Sequence, residues 1–253
     1  MTGLAIERRA PATAPSSGRL VLLHGFTQTR RSWDRIVEAL GDRFETVTVD
    51  APGHGESSSL RIDLASTAVR LERDVGPATY IGYSMGGRLA LQLAIAQPDV
   101  VDRLVLVSAS PGLADAQERA ARRAADDDLA TEIERNGVDS FLERWLALPL
   151  FDRLPADSAG IDERRANTSA GLASSLRLAG TGAQESLWSR LGELAMPVLI
   201  VVGEHDSKFR AIATEMAATI PQVTVEVIAS AGHVVHLEQP TEFVDALRRW
   251  LGR

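Results

Sequence analysis

Ser84 sits in the run Gly82-Tyr83-Ser84-Met85-Gly86, a G-x-S-x-G pattern that ends one apolar stretch and opens another with helical spacing. A serine hydroxyl reacts only when a neighbouring imidazole takes its proton, and that imidazole needs an acid to fix its tautomer. The chain supplies both, in the order serine, acid, histidine. Asp206 lies in the loop EHDSKF after the apolar run PVLIVVG, and His233 lies in SAGHVVH after VTVEVIA. Each of the three follows a run that reads as a strand, which sets them along one edge of a sheet. The glycines suit a sharp strand-to-helix turn, where side chains would collide with the adjoining strand and helix. Such a turn lifts Ser84 above the sheet with a helix N-terminus behind it, so backbone amides can stabilise a developing anion.

Four further histidines need separate readings. His236 shares the loop with His233 and is the alternative base; as a metal pair the two lack a recognisable third ligand. His205 adjoins the acid and reads as its neighbour. His24 and His54 fall in the tight turns HGF and PGHGES, where a structural role is expected. The turn in LLHGFTQ can aim the Phe26 amide, with that of Met85, at an anionic oxygen above Ser84. Arg88, four residues after Ser84, lies about one helical turn along and can share its face, close enough to clamp a carboxylate. Its other reading is an arginine on an exposed helix face. No motif asks for a nucleotide, flavin or metal, so no cofactor is expected.

These residues need a scaffold. Short runs rich in Val, Ile and Leu recur at 19–23, 46–49, 78–82, 104–108, 197–203 and 223–229, with a further edge strand at 4–8. Stretches with helical spacing at 33–40, 85–96, 211–220 and 242–251 alternate with them, the pattern of a doubly wound sheet. Residues 10–18, APATAPSSG, are expected to form a loop. The alternation stops between about 111 and 190, where AQERAARRAADDDLATEIERNG and VDSFLERWLAL read as helices, the first stopped by Asn136 and Gly137. That region is expected to be a helical cap over the sheet's carboxyl edge.

At 253 residues, with 45% hydrophobic and 24% charged residues, the chain suits one globular α/β domain with an insertion. A net charge of -7 argues against a nucleic-acid surface. The basic residues are nearly all arginine, with Lys208 the only lysine. Cysteine is absent, which excludes disulfides and thiolate metal sites and fits a reducing compartment. Residues 1–18 lack the apolar run of a signal peptide, and no stretch approaches the ~20 apolar residues of a membrane helix. A cytoplasmic location, without membrane insertion, is expected.

Through HGF, DAPGHGES, GYSMGGR, GEHDSKF and AGHVVHLEQP the sequence resembles the α/β-hydrolase superfamily over essentially its full length. The resemblance implies a mostly parallel doubly wound sheet with a core at 1–110 and 191–253 and a helical cap at 111–190. Within it the chain is similar to the synthases of menaquinone biosynthesis that form 2-succinyl-6-hydroxy-2,4-cyclohexadiene-1-carboxylate and release pyruvate. HGFTQTRRSW, Arg88, SLRLAGTGAQESLW and DSKF carry that similarity. It implies lyase chemistry on a cyclohexene bearing three carboxylates, with Ser84, activated by His233, removing a proton. It also places carboxylate-binding arginines at Arg122 and Arg164, beside Arg123 and Arg165, with Tyr83 and Trp145 lining the site. The same triad serves a hydrolase of a carboxylated ester or carbon-carbon bond, working through an acyl-serine, and that is the alternative. A third possibility is a ligand-binding protein that has kept the triad without relying on turnover.

Overall fold

The computed structural model describes residues 3–13 and 16–252; Ala14 and Pro15 of the expected loop, like Met1, Thr2 and Arg253, lie outside the described residues. Seven strands form one sheet: β1 (Ala5–Arg9), β2 (Arg19–Leu23), β3 (Glu45–Asp50), β4 (Ala78–Tyr83), β5 (Val101–Val107), β6 (Val198–Gly203) and β7 (Val223–Ile228). Their spatial order is β1-β3-β2-β4-β5-β6-β7, with β1 antiparallel to β3 and every other pair parallel. Every residue of β4 and β6 is buried. Helices cover both faces, which is why these strands read as continuous apolar runs rather than alternating ones.

The period of two along each strand still sorts side chains between two cores. Val21 and Leu23 of β2 pack on one face with α2 (Leu64–Asp74), α3 (Met85–Ala96) and α7 (Ser207–Ala217). Leu20 and Leu22 pack on the other with α1 (Asp34–Leu40), the short α8 (Val235–Glu238) and α9 (Pro240–Leu251). Each fully buried Val or Leu stabilises the fold by roughly 1.5–3 kcal/mol, so both faces are firmly held. Helix α7 begins at Ser207, four residues ahead of the expected start, because the Asp206 side chain caps it by accepting the Phe209 amide. Helix α9 begins at Pro240, whose fixed φ and missing donor suit a first turn.

Between β5 and β6 lie α4 (Ala116–Leu146), α5 (Ile161–Arg165) and α6 (Ser169–Ala179), with no strand among the described residues. Helix α4 carries both stretches read as helices, broken at Gly137, which stands at φ 82° and ψ 169°. Ala130, Ile133, Phe141 and Leu142 of α4 pack with Leu172, Ala173 and Leu176 of α6 into a third, smaller core. The α6 backbone docks onto the loop after β3 through Gly171 and Gly53: a Cβ on either would strike the other's carbonyl. No helix among the described residues is long and apolar enough to cross a membrane.

Candidate active site

Strand β4 delivers Ser84 at φ 49° and ψ -108°, a conformation in the strained positive-φ region for a residue with a side chain. The turn is held by the Ser84 amide, which donates to Val107 O of β5 at 2.9 Å. It is possible only because its flanks are glycines. A Cβ on Gly82 would collide with the Gly86 backbone, and one on Gly86 with the Leu23 carbonyl.

Asp206 and His233 reach the same edge from β6 and β7. His233 Nε2 lies 3.3 Å from Ser84 Oγ, and His233 Nδ1 lies 2.7 Å from Asp206 Oδ2. With Nδ1 donating to the carboxylate, Nε2 is the lone pair that faces the serine hydroxyl. Both His233 and Asp206 are buried. The His233 loop has its own brace, which the sequence did not reveal: buried Glu238 accepts the amides of Gly232 and Val234, on either side of the histidine. A carboxylate five residues downstream in HLEQP was the available signal.

The other histidines fall elsewhere. His236 is fully buried, stacked on Trp33 with centroids 4.2 Å apart, and neither ring nitrogen has a partner among the described residues. Burial above all, then the charges of Arg164 and His233, lowers it to about 3, so it stays neutral. His205 is half-exposed beside Glu204. His24 and His54 have structural partners: His24 Nε2 accepts the Ala51 amide at 3.0 Å, and His54 Nε2 accepts the Thr27 amide at 3.3 Å. The second bond fixes the turn in which Thr27 stands at φ 68°, next to Phe26. Burial lowers His24, and burial together with His24 takes His54 to about 3. Met85 opens α3, so its amide has no intrahelical acceptor and is free for an anion beside Ser84.

Above Ser84 opens a cavity of about 220 Å³ whose wall includes Phe26, Tyr83, Met85, Trp145 and His233. Four basic side chains also line it, Arg88, Arg122, Arg164 and Lys208, and no Asp or Glu does among the described residues. In a chain with a net charge of -7 that concentration of positive charge marks a place for a polyanion. Arg88 is 8% exposed and Arg164 is 2% exposed. Neither is in an ion pair among the described residues. Arg88 donates to Gln184 Oε1 at 3.1 Å and Ala179 O at 2.8 Å, and Arg164 donates to Ala159 O at 2.7 Å and to Thr27 Oγ1. Burial pulls both guanidinium groups down to about 10, with Arg122 adding to the effect at Arg88. They remain charged at neutral pH. Arg122 is half-exposed and held by Asp126 at 2.7 Å.

The neighbouring arginines separate cleanly. Arg165 points to solvent and pairs with Asp139 at 2.9 Å, and Arg123 is exposed; neither lines the cavity. Tyr83 is buried against His233, with ring centroids 5.4 Å apart, and burial pushes its phenol well above the ordinary range. Trp145 meets Phe26 edge-on at 5.4 Å and stacks on Phe141 at 5.5 Å, forming an aromatic wall. Lys208, in the first turn of α7 and two residues after the acid, is a cavity residue whose role DSKF alone did not disclose. Its being the only lysine and its place in DSKF were the hints.

A strained serine after a buried strand, a histidine at its oxygen and an acid behind that histidine, all at one edge of a parallel sheet, define a class. The chain belongs to the alpha/beta hydrolase family, whose model matches residues 20–246. Among characterised relatives it is 38% identical over 242 residues to the provisionally named 2-succinyl-6-hydroxy-2,4-cyclohexadiene-1-carboxylate synthase of Bacillus subtilis (strain 168), covering 90% of this chain and 88% of that one. It is 34% identical over 248 residues to the synthase of the same name from Salmonella agona (strain SL483), covering 94% and 95%. The solved structure of MenH from S. aureus superposes with a TM-score of 0.92 at 33% identity, over 100% of this chain and 98% of that one.

Proposed function

We propose that this protein is a lyase of menaquinone biosynthesis that eliminates pyruvate from 2-succinyl-5-enolpyruvyl-6-hydroxy-3-cyclohexene-1-carboxylate, giving 2-succinyl-6-hydroxy-2,4-cyclohexadiene-1-carboxylate. The observation that carries the reading is the cavity above Ser84, with four cations and, among the described residues, no carboxylate in its wall. Such a wall suits a small substrate with three carboxylates and suits a neutral ester poorly. The relatives named for this reaction support the same reading.

In this mechanism His233 takes the Ser84 proton and the serine oxygen removes the ring proton beside the succinyl ketone. Asp206 holds the imidazole tautomer and stabilises the imidazolium that results. The C–H electron pair delocalises onto the ketone oxygen, where the amides of Phe26 and Met85 are donors. Collapse of that enolate shifts the ring alkene and breaks the bond to the enolpyruvyl oxygen, and the departing enolate of pyruvate takes the proton held by the His233 imidazolium. No acyl-enzyme forms. Arg88, Arg122 and Arg164 hold the carboxylates, and Tyr83 and Trp145 bound the ring. Pyruvate release by the purified protein from this substrate, against a panel of simple esters, tests the proposal; a folded protein that leaves the substrate untouched refutes it.

The alternative is hydrolysis of a carboxylated ester or carbon-carbon bond. The line from Asp206 through His233 to Ser84, in front of a helix N-terminus, favours it to the extent that acyl-serine chemistry uses the same geometry. A covalent adduct on Ser84 seen by intact mass during turnover would select it.

A further inference from the structure

Arg88 and Gln184 meet in a contact that is uncommon for a buried cation. The guanidinium donates to two oxygens, Gln184 Oε1 at 3.1 Å and Ala179 O at 2.8 Å, and both belong to uncharged groups. Gln184 is itself 3% exposed. Its amide must turn Oε1 toward Arg88, because its NH2 would set donor against donor. Nε2 then faces away and has no partner among the described residues. Gly112 makes room for the amide: a Cβ there would lie 3.3 Å from both Cδ and Nε2. The other cation acting on Arg88 is treated differently, since Arg122 is tied to the carboxylate of Asp126 at 2.7 Å.

Buried charges are ordinarily paired with opposite charges. Glutamate would fill the volume of Gln184 with one group exchanged and would bind a guanidinium more strongly. It would also cancel the charge that faces the cavity. We propose that Gln184 is a positioning residue that holds Arg88 through an uncharged acceptor, keeping the guanidinium charge available for a carboxylate of the substrate. The proposal rests on the reading of Arg88 as a carboxylate ligand and adds a residue that decides whether polyanions are accepted. Ala179 O supplies the second uncharged anchor from the cap, so Arg88 is aimed without a direct ion pair among the described residues; Asp126, bound to Arg122, acts on it only at longer range.

The test compares Gln184→Glu and Gln184→Met with the unaltered protein. Two quantities are read: KM and kcat for pyruvate release, and calorimetric binding of propane-1,2,3-tricarboxylate, a polyanion that cannot react. Gln184→Glu is expected to raise KM and weaken tricarboxylate binding at least tenfold with kcat within threefold, the scale of one charge-assisted contact. Gln184→Met removes the bond without adding charge and is expected to shift both by less than fivefold. In an Arg88→Met background Gln184→Glu should add no further loss, because the charge that it cancels is gone. Equal effects of the two Gln184 variants, or a full effect without Arg88, overturn the proposal. Should Gln184→Glu fail to fold, Gln184→Asp brings the same charge and is held to the same criteria. If the unaltered protein binds the tricarboxylate but releases no pyruvate, the lyase reading fails while the binding comparison still decides Gln184. If it does neither, Arg88 holds no carboxylate and the inference falls.

Discussion

The carboxyl edge of the sheet and the helices between β5 and β6 build the same cavity by different means. At the edge, backbone does the positioning. Ser84 is locked by its own amide to Val107 O, Asp206 by its amide to Gly203 O at 3.1 Å, and His233 by the two amides that Glu238 gathers around it. In the helical region, side chains position one another. Arg122 leans on Asp126, Arg164 spans to Thr27 of the core, and Trp145 rests on Phe26 and Phe141. The groups proposed to react are therefore rigid, while those proposed to choose the substrate depend on a few replaceable contacts.

That contrast can be broken at several points. The largest effect is expected at the edge: Ser84→Ala or His233→Ala should lower kcat for pyruvate release about 10³-fold or more while tricarboxylate binding, measured by calorimetry, is retained. Loss of binding and turnover together would mean that the two regions are not separable. Arg88→Ala and Arg164→Ala should raise KM roughly 10- to 100-fold, and Arg88→Lys should recover little if the clamp is bidentate. Unchanged steady-state kinetics in all three would remove the cation wall from the mechanism.

Proton linkage sharpens the comparison further. Arg88 and Arg164 are charged below about 10, so KM should climb by up to about tenfold per pH unit for each as pH rises past that value. Acid acts on the core instead. His54 and His236 are held neutral down to about 3, whereas the unfolded chain takes up protons near 6.5; the unfolded state thus binds more protons in between. Stability is complete above about 6.5 and falls with acidification toward 3, by up to about 1.4 kcal/mol per pH unit for each histidine. Urea midpoints at pH 7 and pH 5 measure this, and equal midpoints would contradict the assigned neutral states. The smallest effect is expected from Arg123→Ala and Arg165→Ala, which should leave KM within twofold.

The edge was legible in sequence because backbone constraint leaves marks. Only glycine fits at Gly82 and Gly86, and strands buried on both faces appear as apolar runs. The cap left fewer marks. Two adjacent arginines look alike in a helical stretch, and only burial tells Arg164 from Arg165 or a cavity wall tells Arg122 from Arg123. Apolar spacing predicts neither α2 nor the first turn of α7, where Asp206 both orients His233 and caps the helix. Gln184 stands inside SLRLAGTGAQESLW, yet nothing in that stretch points to its partner, which lies 96 positions away.

Gly137 divides α4 into an arm that bears Arg122 and an arm that bears Trp145, and nothing lies within 4 Å of where its Cβ would be. Any other residue would be strained by about 1–3 kcal/mol at that corner, a backbone region essentially confined to glycine, and a straightened rod would swing the indole relative to the guanidinium. The corner is thus a calliper: its angle sets the span between the aromatic jaw and the cationic jaw. Descendants of this chain could accept longer or shorter molecules by altering one position remote from the serine, with the reacting groups untouched.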